Sequence, residues 1–265
     1  MIDLRFSERE LEARREHLVE FIRETAEEAG TERAVLGLSG GIDSTLTAYL
    51  AVEALGEENL HGLVMPGEVS DEDNMSDAEW VAQELGIAYD VFEINPIVDQ
   101  FLNAYSEAEG DQLAVGNARA RTRTVLNYLV ANHEGSLVLG TGNRSEAMVG
   151  YFTKYGDGAV DCHPIGNLYK QQVRQLATYV GVPEELVEKP PTAGLWADQT
   201  DEDEMGIDYD SLDAILALHI DGPLSAAATA REVEELSEEQ VERVRQMYER
   251  SEHKRRVPPS PEPLE

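Results

Sequence analysis

Ser39-Gly40-Gly41-Ile42-Asp43-Ser44 follows the apolar run Ala34-Val35-Leu36-Gly37-Leu38 and precedes a helical pattern from about Ser44 to Leu55. Glycines between a strand and a helix let backbone N–H groups approach phosphate oxygens, and the helix N-terminus favours negative charge. The turn reads as a pyrophosphate cradle. It is not a Walker A loop, because no Gly-Lys-Ser/Thr follows, and it lacks the Gly-x-Gly-x-x-Gly spacing of a dinucleotide fingerprint. The plainer alternative is a glycine turn in which Asp43 or Ser44 only caps the helix. Asp43 and Glu146 stand at two loop ends expected on one edge of a sheet, where a pair of carboxylates suits a Mg²⁺ ion that bridges phosphates. On its own, Glu146 also fits a first-turn helix acid favoured by the dipole. Arg119, Arg121 and Arg123 alternate along a helix start, so they cannot share one face and at most two of them point into a site.

The elements that must position these residues alternate. A helix is expected over residues 7 to 29 with Ser7 as N-cap and Gly30 as the stop. Strands follow at Ala34 to Leu38, Leu60 to Met65, Ala88 to Ile94 and Ser136 to Gly140. Helices lie between them, from about Asn74 to Leu85, into Tyr105, and from Val115 to Asn132. Such alternation argues for a doubly wound α/β fold, a parallel sheet with helices on both faces. Thr141 then sits just past a strand, where ligands gather in open α/β sheets. Helices are expected at Leu168 to Val180 and Leu212 to Ile220, and a last one runs to Arg250 from the Ser237/Gln240 capping box, with Leu236 and Val241 as its staple. The segments 66 to 77 and 197 to 210 read as long polar loops at the active edge that order over ligand. From Val257 the proline-rich end reads as an extended or disordered tail.

Composition excludes several classes. The 53 acidic side chains against 21 basic ones leave a net charge of -32, which repels nucleic acid and anionic membranes. Only Lys154, Lys170, Lys189 and Lys254 are lysines, a pattern that fits a high-salt cytoplasm. Residues 115 to 175 reverse the balance, with seven Lys/Arg against four Asp/Glu, so this segment favours anions. No apolar run reaches the length of about 18 to 20 residues that a membrane span needs, and no leader pattern is seen, so a cytoplasmic protein is expected. The lone Cys162 offers neither an internal disulfide nor a sulfur relay.

The Ser39 to Ser44 phrase resembles the loop of the N-type ATP pyrophosphatases, which cleave ATP between its α and β phosphates. Four further strings resemble NAD synthetases and occur in the same order: Gly116-Asn117-Ala118-Arg119-Ala120-Arg121-Thr122-Arg123, Gly140-Thr141-Gly142-Asn143-Arg144-Ser145-Glu146, Gly150-Tyr151-Phe152-Thr153-Lys154-Tyr155-Gly156-Asp157-Gly158 and Ser251-Glu252-His253-Lys254-Arg255. The likeness runs from about residue 18 to 256, departing mainly at Gly142 to Ser145. It implies an adenine nucleotide alpha hydrolase-like fold with a helical C-terminal part, one domain over 1 to 256 and a tail over 257 to 265. It further implies that ATP is held by Gly37, Leu38, Ser39, Gly40, Gly41, Ile42, Asp43, Ser44, Thr141, Lys170 and Thr192, with Mg²⁺ on Asp43 and Glu146. Deamido-NAD is then expected on Arg121, Lys154, Asp161, His253 and Lys254, in a homodimer with substrate near the subunit interface. Asp43, Lys170 and Asp161 become the expected catalytic set, Asp161 as a candidate acceptor of the ammonium proton.

The implied reaction adenylates the nicotinate carboxylate of deamido-NAD and passes it to ammonia, releasing pyrophosphate and AMP. A glutamine-hydrolysing form needs an added amidase domain with a cysteine nucleophile, which neither 265 residues nor Cys162 supplies, so free or partner-delivered ammonia is expected. Two alternatives stay open on sequence. One is another ATP pyrophosphatase, GMP-synthetase-like or tRNA-thiolating, the latter needing paired cysteines and a basic face. The other is a non-catalytic adenine-nucleotide sensor, which has little use for Arg121, Lys154, Asp161 and the His253-Lys254 pair.

Overall fold

Alternating side chains assign the two faces of the sheet. In β1 (Ala34–Leu38), Ala34, Leu36 and Leu38 point into one apolar core while Val35 points into the other. The same division holds in β2 (Leu60–Val64) and β4 (Leu137–Leu139), with Leu60, Val64, Leu137 and Leu139 on the first face and Leu63 and Val138 on the second. With β3 (Ala88–Val91) these form a parallel sheet of order β3-β2-β1-β4, Ala34 standing in register with Leu60 on one side and Leu137 on the other. This is the doubly wound arrangement that the alternation predicts. The computed structural model describes residues 4–67, 72–192, 200–233 and 236–261.

The first face is covered by α1 (Glu8–Ala29), α2 (Ile42–Leu55), α3 (Glu72–Glu84) and α7 (Lys170–Val180), and the second chiefly by α5 (Gln112–Glu134), with α4 (Asn95–Ala104) against it. The expected caps of α1 are present. Glu10 accepts from Ser7 N at 2.8 Å, and Gly30 ends the helix in the left-handed region. Helix α5 starts three residues earlier than expected because Asp111 caps it, accepting from Ala114 N at 3.0 Å.

Beyond the sheet, α6 (Arg144–Val149), α8 (Glu184–Val187), α9 (Asp201–Met205), α10 (Tyr209–Ile215), α11 (Ala226–Glu232) and α12 (Glu238–Arg250) complete the chain. A separate core of Val149, Tyr209, Leu212, Ile215, Val241 and Val244 joins α6 to the C-terminal helices. The segment 197 to 210 is not all loop as expected, because Thr200 and Asp208 accept from Asp203 N and Ser211 N and start α9 and α10. The helix expected from Leu212 begins at Tyr209 and passes into a π-turn over Leu216–Ile220, and α11 was unforeseen. Residues 68–71 and 193–199, parts of the two segments read as ordering loops, lie outside the described residues. Among the described residues no helix is long and apolar enough to cross a membrane.

The chain winds outward from β1 to β3, then returns to place β4 on the other side of β1. Loops leaving the carboxyl ends of β1 and β4 therefore diverge and open a crevice between them, the usual place for a ligand in such a sheet.

Candidate active site

The first wall of this crevice is the turn after β1. Gly40 has φ +74°, a left-handed conformation that a side chain would strain. The Ser44 hydroxyl closes the turn, donating to the Gly41 carbonyl at 3.0 Å and accepting from Ser39 N at 3.2 Å. Gly41 is the N-cap of α2 and brings no side chain to its first-turn N–H groups, which suits an anion there.

The opposite wall is the loop from Gly140 to Asn143 and the start of α6. Asn143 is fully buried, and its side chain carbonyl accepts from Glu146 N at 3.0 Å to cap the helix. Its amide nitrogen donates to Asp43 Oδ1 at 2.9 Å, tying the two walls together. Between them lies Lys170, whose side chain is 2% exposed and whose Nζ stands 2.5 Å from Asp43 Oδ2 and 3.4 Å from Glu146 Oε1. Lys170 is the first residue of α7. It is placed by Ser145 Oγ, which accepts from Lys170 N at 2.9 Å, and by Asp213, which accepts from Gln171 N at 2.9 Å and from Ser145 Oγ. Two residues not foreseen from sequence complete the cluster. Tyr209 is fully buried, with its hydroxyl 3.2 Å from Glu146 Oε1 and 2.9 Å from Asp201 Oδ2.

The electrostatics ask for a further cation. Burial works against the Lys170 ammonium, but Asp43, Glu146 and Asp201 outweigh it and hold it charged. Glu146 is pushed up to about 8, by burial first, with Lys170 opposing and Asp43 and Asp201 adding to the rise. Asp201 is also raised by burial, and its Oδ1 is a buried oxygen without a hydrogen-bond partner. Three carboxylates against one ammonium leave an excess of negative charge that protonation of Glu146 only partly relieves. The donors are hard oxygens, as Mg²⁺ prefers. Among the described residues no three His, Cys, Asp or Glu side chains converge to hold a metal by themselves.

Thr192 is exposed and stands next to Pro191, whose carbonyl accepts from Asp201 N at 3.2 Å, so it lies beside this cluster. Thr141 is half-buried in the β4 loop, as expected of a strand-end residue at the crevice. Gly37 and Leu38 form the end of β1 beneath the turn.

A second cluster gathers at the other end of α6, a helix of six residues and so about 9 Å long. Arg121 is exposed on α5 and donates to the Lys154 carbonyl at 3.2 Å. Lys254 donates to the carbonyls of Gly150 and Phe152, both at 2.7 Å, and His253 beside it is exposed. Asp157 accepts from Thr153 N at 2.9 Å. Asp157 is exposed, and desolvation raises its carboxyl above the usual range, with the Thr153 N–H and Lys254 opposing. Asp161 is differently engaged: it accepts from Val138 N at 2.8 Å and Tyr128 OH at 3.0 Å, anchoring the segment after the Gly-rich loop to β4. Arg123 turns inward and donates to the Met65 carbonyl at 3.0 Å. Burial lowers it to about 10, so it is a brace between α5 and the end of β2.

The sequence model of the NAD synthase family matches residues 15–258. The chain belongs to the NAD synthase family. Within it, the NH(3)-dependent NAD(+) synthetase of Halobacterium salinarum is 62% identical over 260 residues, covering 98% of this chain and 97% of that one. That of Methanocaldococcus jannaschii is 45% identical, covering 92% and 95%. Among solved structures, NMN synthetase from Francisella tularensis superposes with a TM-score of 0.83 at 36% identity, covering 97% of this chain and 99% of that one. NH3-dependent NAD synthetase from Campylobacter jejuni gives 0.78 at 30%, covering 95% and 99%. For a family member, the structure brings Asp43, Glu146 and Lys170 into contact and puts Arg121 beside Lys154. Asn143 had a legible signal, since an Asn three residues before a Glu is an N-cap pattern. Asp201 and Tyr209 had none, because only tertiary packing carries them to Glu146.

Proposed function

We propose that this chain amidates deamido-NAD with ammonia, using ATP and releasing AMP and pyrophosphate, with Asp43, Glu146 and Lys170 at the centre of the reaction. The observation that carries the assignment is the Lys170 ammonium held between the carboxylate after the glycine turn and the carboxylate after β4. An ATP triphosphate laid along the Ser39 to Ser44 turn meets N–H groups of α2, and Lys170, Thr141 and Thr192 are the side chains that would contact it. Asp43 and Glu146 would hold Mg²⁺, which when bound supplies positive charge for the departing pyrophosphate. The chain's own part in the first step is alignment, with Lys170 and backbone N–H groups stabilising charge. The nicotinate carboxylate is already ionised at neutral pH, so its attack on the α-phosphorus needs no base.

Deamido-NAD is assigned to the second cluster, on Arg121, Lys154, His253 and Lys254, with Asp161 after the Gly-rich loop. The separation of about one short helix from the phosphate site allows the carboxylate to reach the α-phosphate. Ammonia then attacks the acyl-adenylate carbonyl and AMP leaves. Ammonium must first lose a proton, and Asp161 is the candidate acceptor, an exposed carboxylate held by Val138 N and Tyr128 OH.

The unit works as a homodimer in this reading. Phe101, Tyr105, Leu113, Val125 and Leu129 are exposed large apolar residues on or just after α4 and on α5, and Arg121, Val125 and Leu129 follow one helical stripe. A second copy over that stripe would cover apolar surface and stand next to the substrate arginine. Residues 1 to 256 form the catalytic unit with 257 to 265 as a tail, in the cytoplasm.

The test is release of AMP and pyrophosphate with ATP, ammonium and deamido-NAD, run against xanthylate, glutamine in place of ammonium, and nicotinate mononucleotide, the last because one relative is named NMN synthetase. Pyrophosphate that depends on deamido-NAD and ammonium supports the assignment; pyrophosphate only with another carboxylate replaces the substrate.

A further inference from the structure

We propose that Tyr209, held by Asp201, is a positioning residue for Glu146 and so sets where the divalent cation sits against ATP. This rests on the reading of Asp43 and Glu146 as the carboxylates of that cation. Tyr209 lies on α10, in a different core from the sheet, and is fully buried. Its hydroxyl has one proton and faces two acceptors, Glu146 Oε1 at 3.2 Å and Asp201 Oδ2 at 2.9 Å. Its ring also stands under Lys170, with Nζ 5.0 Å from the centroid. One phenol therefore touches the carboxylate after β4, the ammonium that joins it to Asp43, and a third carboxylate.

Filling core space does not require that arrangement, because phenylalanine fills nearly the same volume without burying a hydroxyl among acids. What the hydroxyl adds is a fixed direction for Glu146. A carboxylate flanked by Asn143 on one side and by Lys170 and Tyr209 on the other keeps one rotamer, and partners of this kind commonly tune the affinity of a metal ligand.

Asp201 extends the connection. It opens α9, its N–H donates to the Pro191 carbonyl at 3.2 Å, and its Oδ1 is buried without a hydrogen-bond partner. The residue that holds Tyr209 is thereby bonded to Pro191, the neighbour of Thr192. Thr192, assigned to ATP, stands one residue from that bond. The hydroxyl that orients Glu146 is thus fastened to the segment that carries Thr192, and cation and nucleotide should be sensed together.

The experiment titrates Mn²⁺ as the probe, followed by the electron paramagnetic resonance signal of free Mn²⁺, onto the full chain with α,β-methylene ATP. Deamido-NAD binding is measured in parallel by calorimetry. Tyr209→Phe should weaken Mn²⁺ by about 10- to 100-fold while deamido-NAD affinity stays within twofold. Asp201→Asn should weaken Mn²⁺ in the same direction, and it serves where Tyr209→Phe fails to fold. Unchanged Mn²⁺ affinity in the folded variants overturns the proposal, as does an equal loss of Mn²⁺ and deamido-NAD affinity, which marks a merely structural tyrosine. Asp43→Asn separates the two levels: if it too leaves Mn²⁺ binding unchanged, the assignment of the metal carboxylates fails, and not the role of Tyr209 alone.

Discussion

Lys170 Nζ lies 2.5 Å from Asp43 Oδ2, although the two residues are 127 positions apart. That contact joins the turn after β1 to the first residue of α7 and places the one buried ammonium of the described site at the mouth of the sheet.

Lys170→Met tests what that ammonium does. If it stabilises charge on the phosphates in the adenylation step, pyrophosphate release should fall by about 10²- to 10³-fold in kcat. Deamido-NAD binding, assigned to the cluster at the far end of α6, should change little. Steady-state pyrophosphate assays and equilibrium titration of deamido-NAD read the two effects separately.

Glu146 predicts a proton release. Its folded value of about 8 lies above the ordinary 4.5, so between those limits the metal-free protein holds a proton that the unfolded chain has lost. Its burial therefore costs stability increasingly as pH rises through that window, and nothing below it. A dication that takes Glu146 as carboxylate must expel the proton. Affinity for Mg²⁺ with nucleotide should rise by up to about tenfold per pH unit below pH 8 and then level off. Calorimetry at pH 7 in two buffers of different ionisation enthalpy should show close to one proton released, and Glu146→Gln should abolish it.

Gly150 ends α6 at φ +71°, and a Cβ there would lie 2.2 Å from Ser251 Cβ. Gly150→Ala should cost at least about 1 kcal/mol from the left-handed backbone alone, and more from the collision. Relieving that collision moves Ser251 and loosens Lys254 from the Gly150 carbonyl. Thermal unfolding should register the lost stability, and KM for deamido-NAD should rise several-fold with KM for ATP nearly unchanged.

The net charge of -32 predicts salt dependence. Self-repulsion across an acidic surface acts over a Debye length of about 10 Å at 0.1 M salt and about 3 Å at 1 M. Raising KCl across that range should raise the unfolding temperature, with most of the gain in the first several hundred millimolar. A midpoint unmoved by salt would mean that acidic repulsion is not a main term in stability.

Much of this architecture is legible in the sequence because it is encoded locally. The Ser7/Glu10 and Ser237/Gln240 boxes, the glycine turn and the apolar strands depend on neighbours within a few residues, and each stands where local chemistry puts it. Asp43 and Glu146 could be paired in advance because both follow strands of one parallel sheet. What sequence could not supply is set by partners far along the chain. Asn143 is legible as the cap of α6, but its bond to Asp43, 100 residues away, is not. Tyr209 falls in the segment read as a polar loop, until Asp208 caps α10 and that helix packs beside α6. Asp161 accepts from the N–H of Val138 and the hydroxyl of Tyr128, contacts 23 and 33 positions away that no local pattern gives.

The most direct test follows one atom. Deamido-NAD labelled with ¹⁸O in its nicotinate carboxylate is converted with ATP and ammonium, and the products are resolved by mass spectrometry. If the carboxylate attacks the α-phosphorus before ammonia displaces AMP, one label appears in AMP, one stays in the new amide and pyrophosphate carries none. AMP without label, or label in pyrophosphate, would contradict the account.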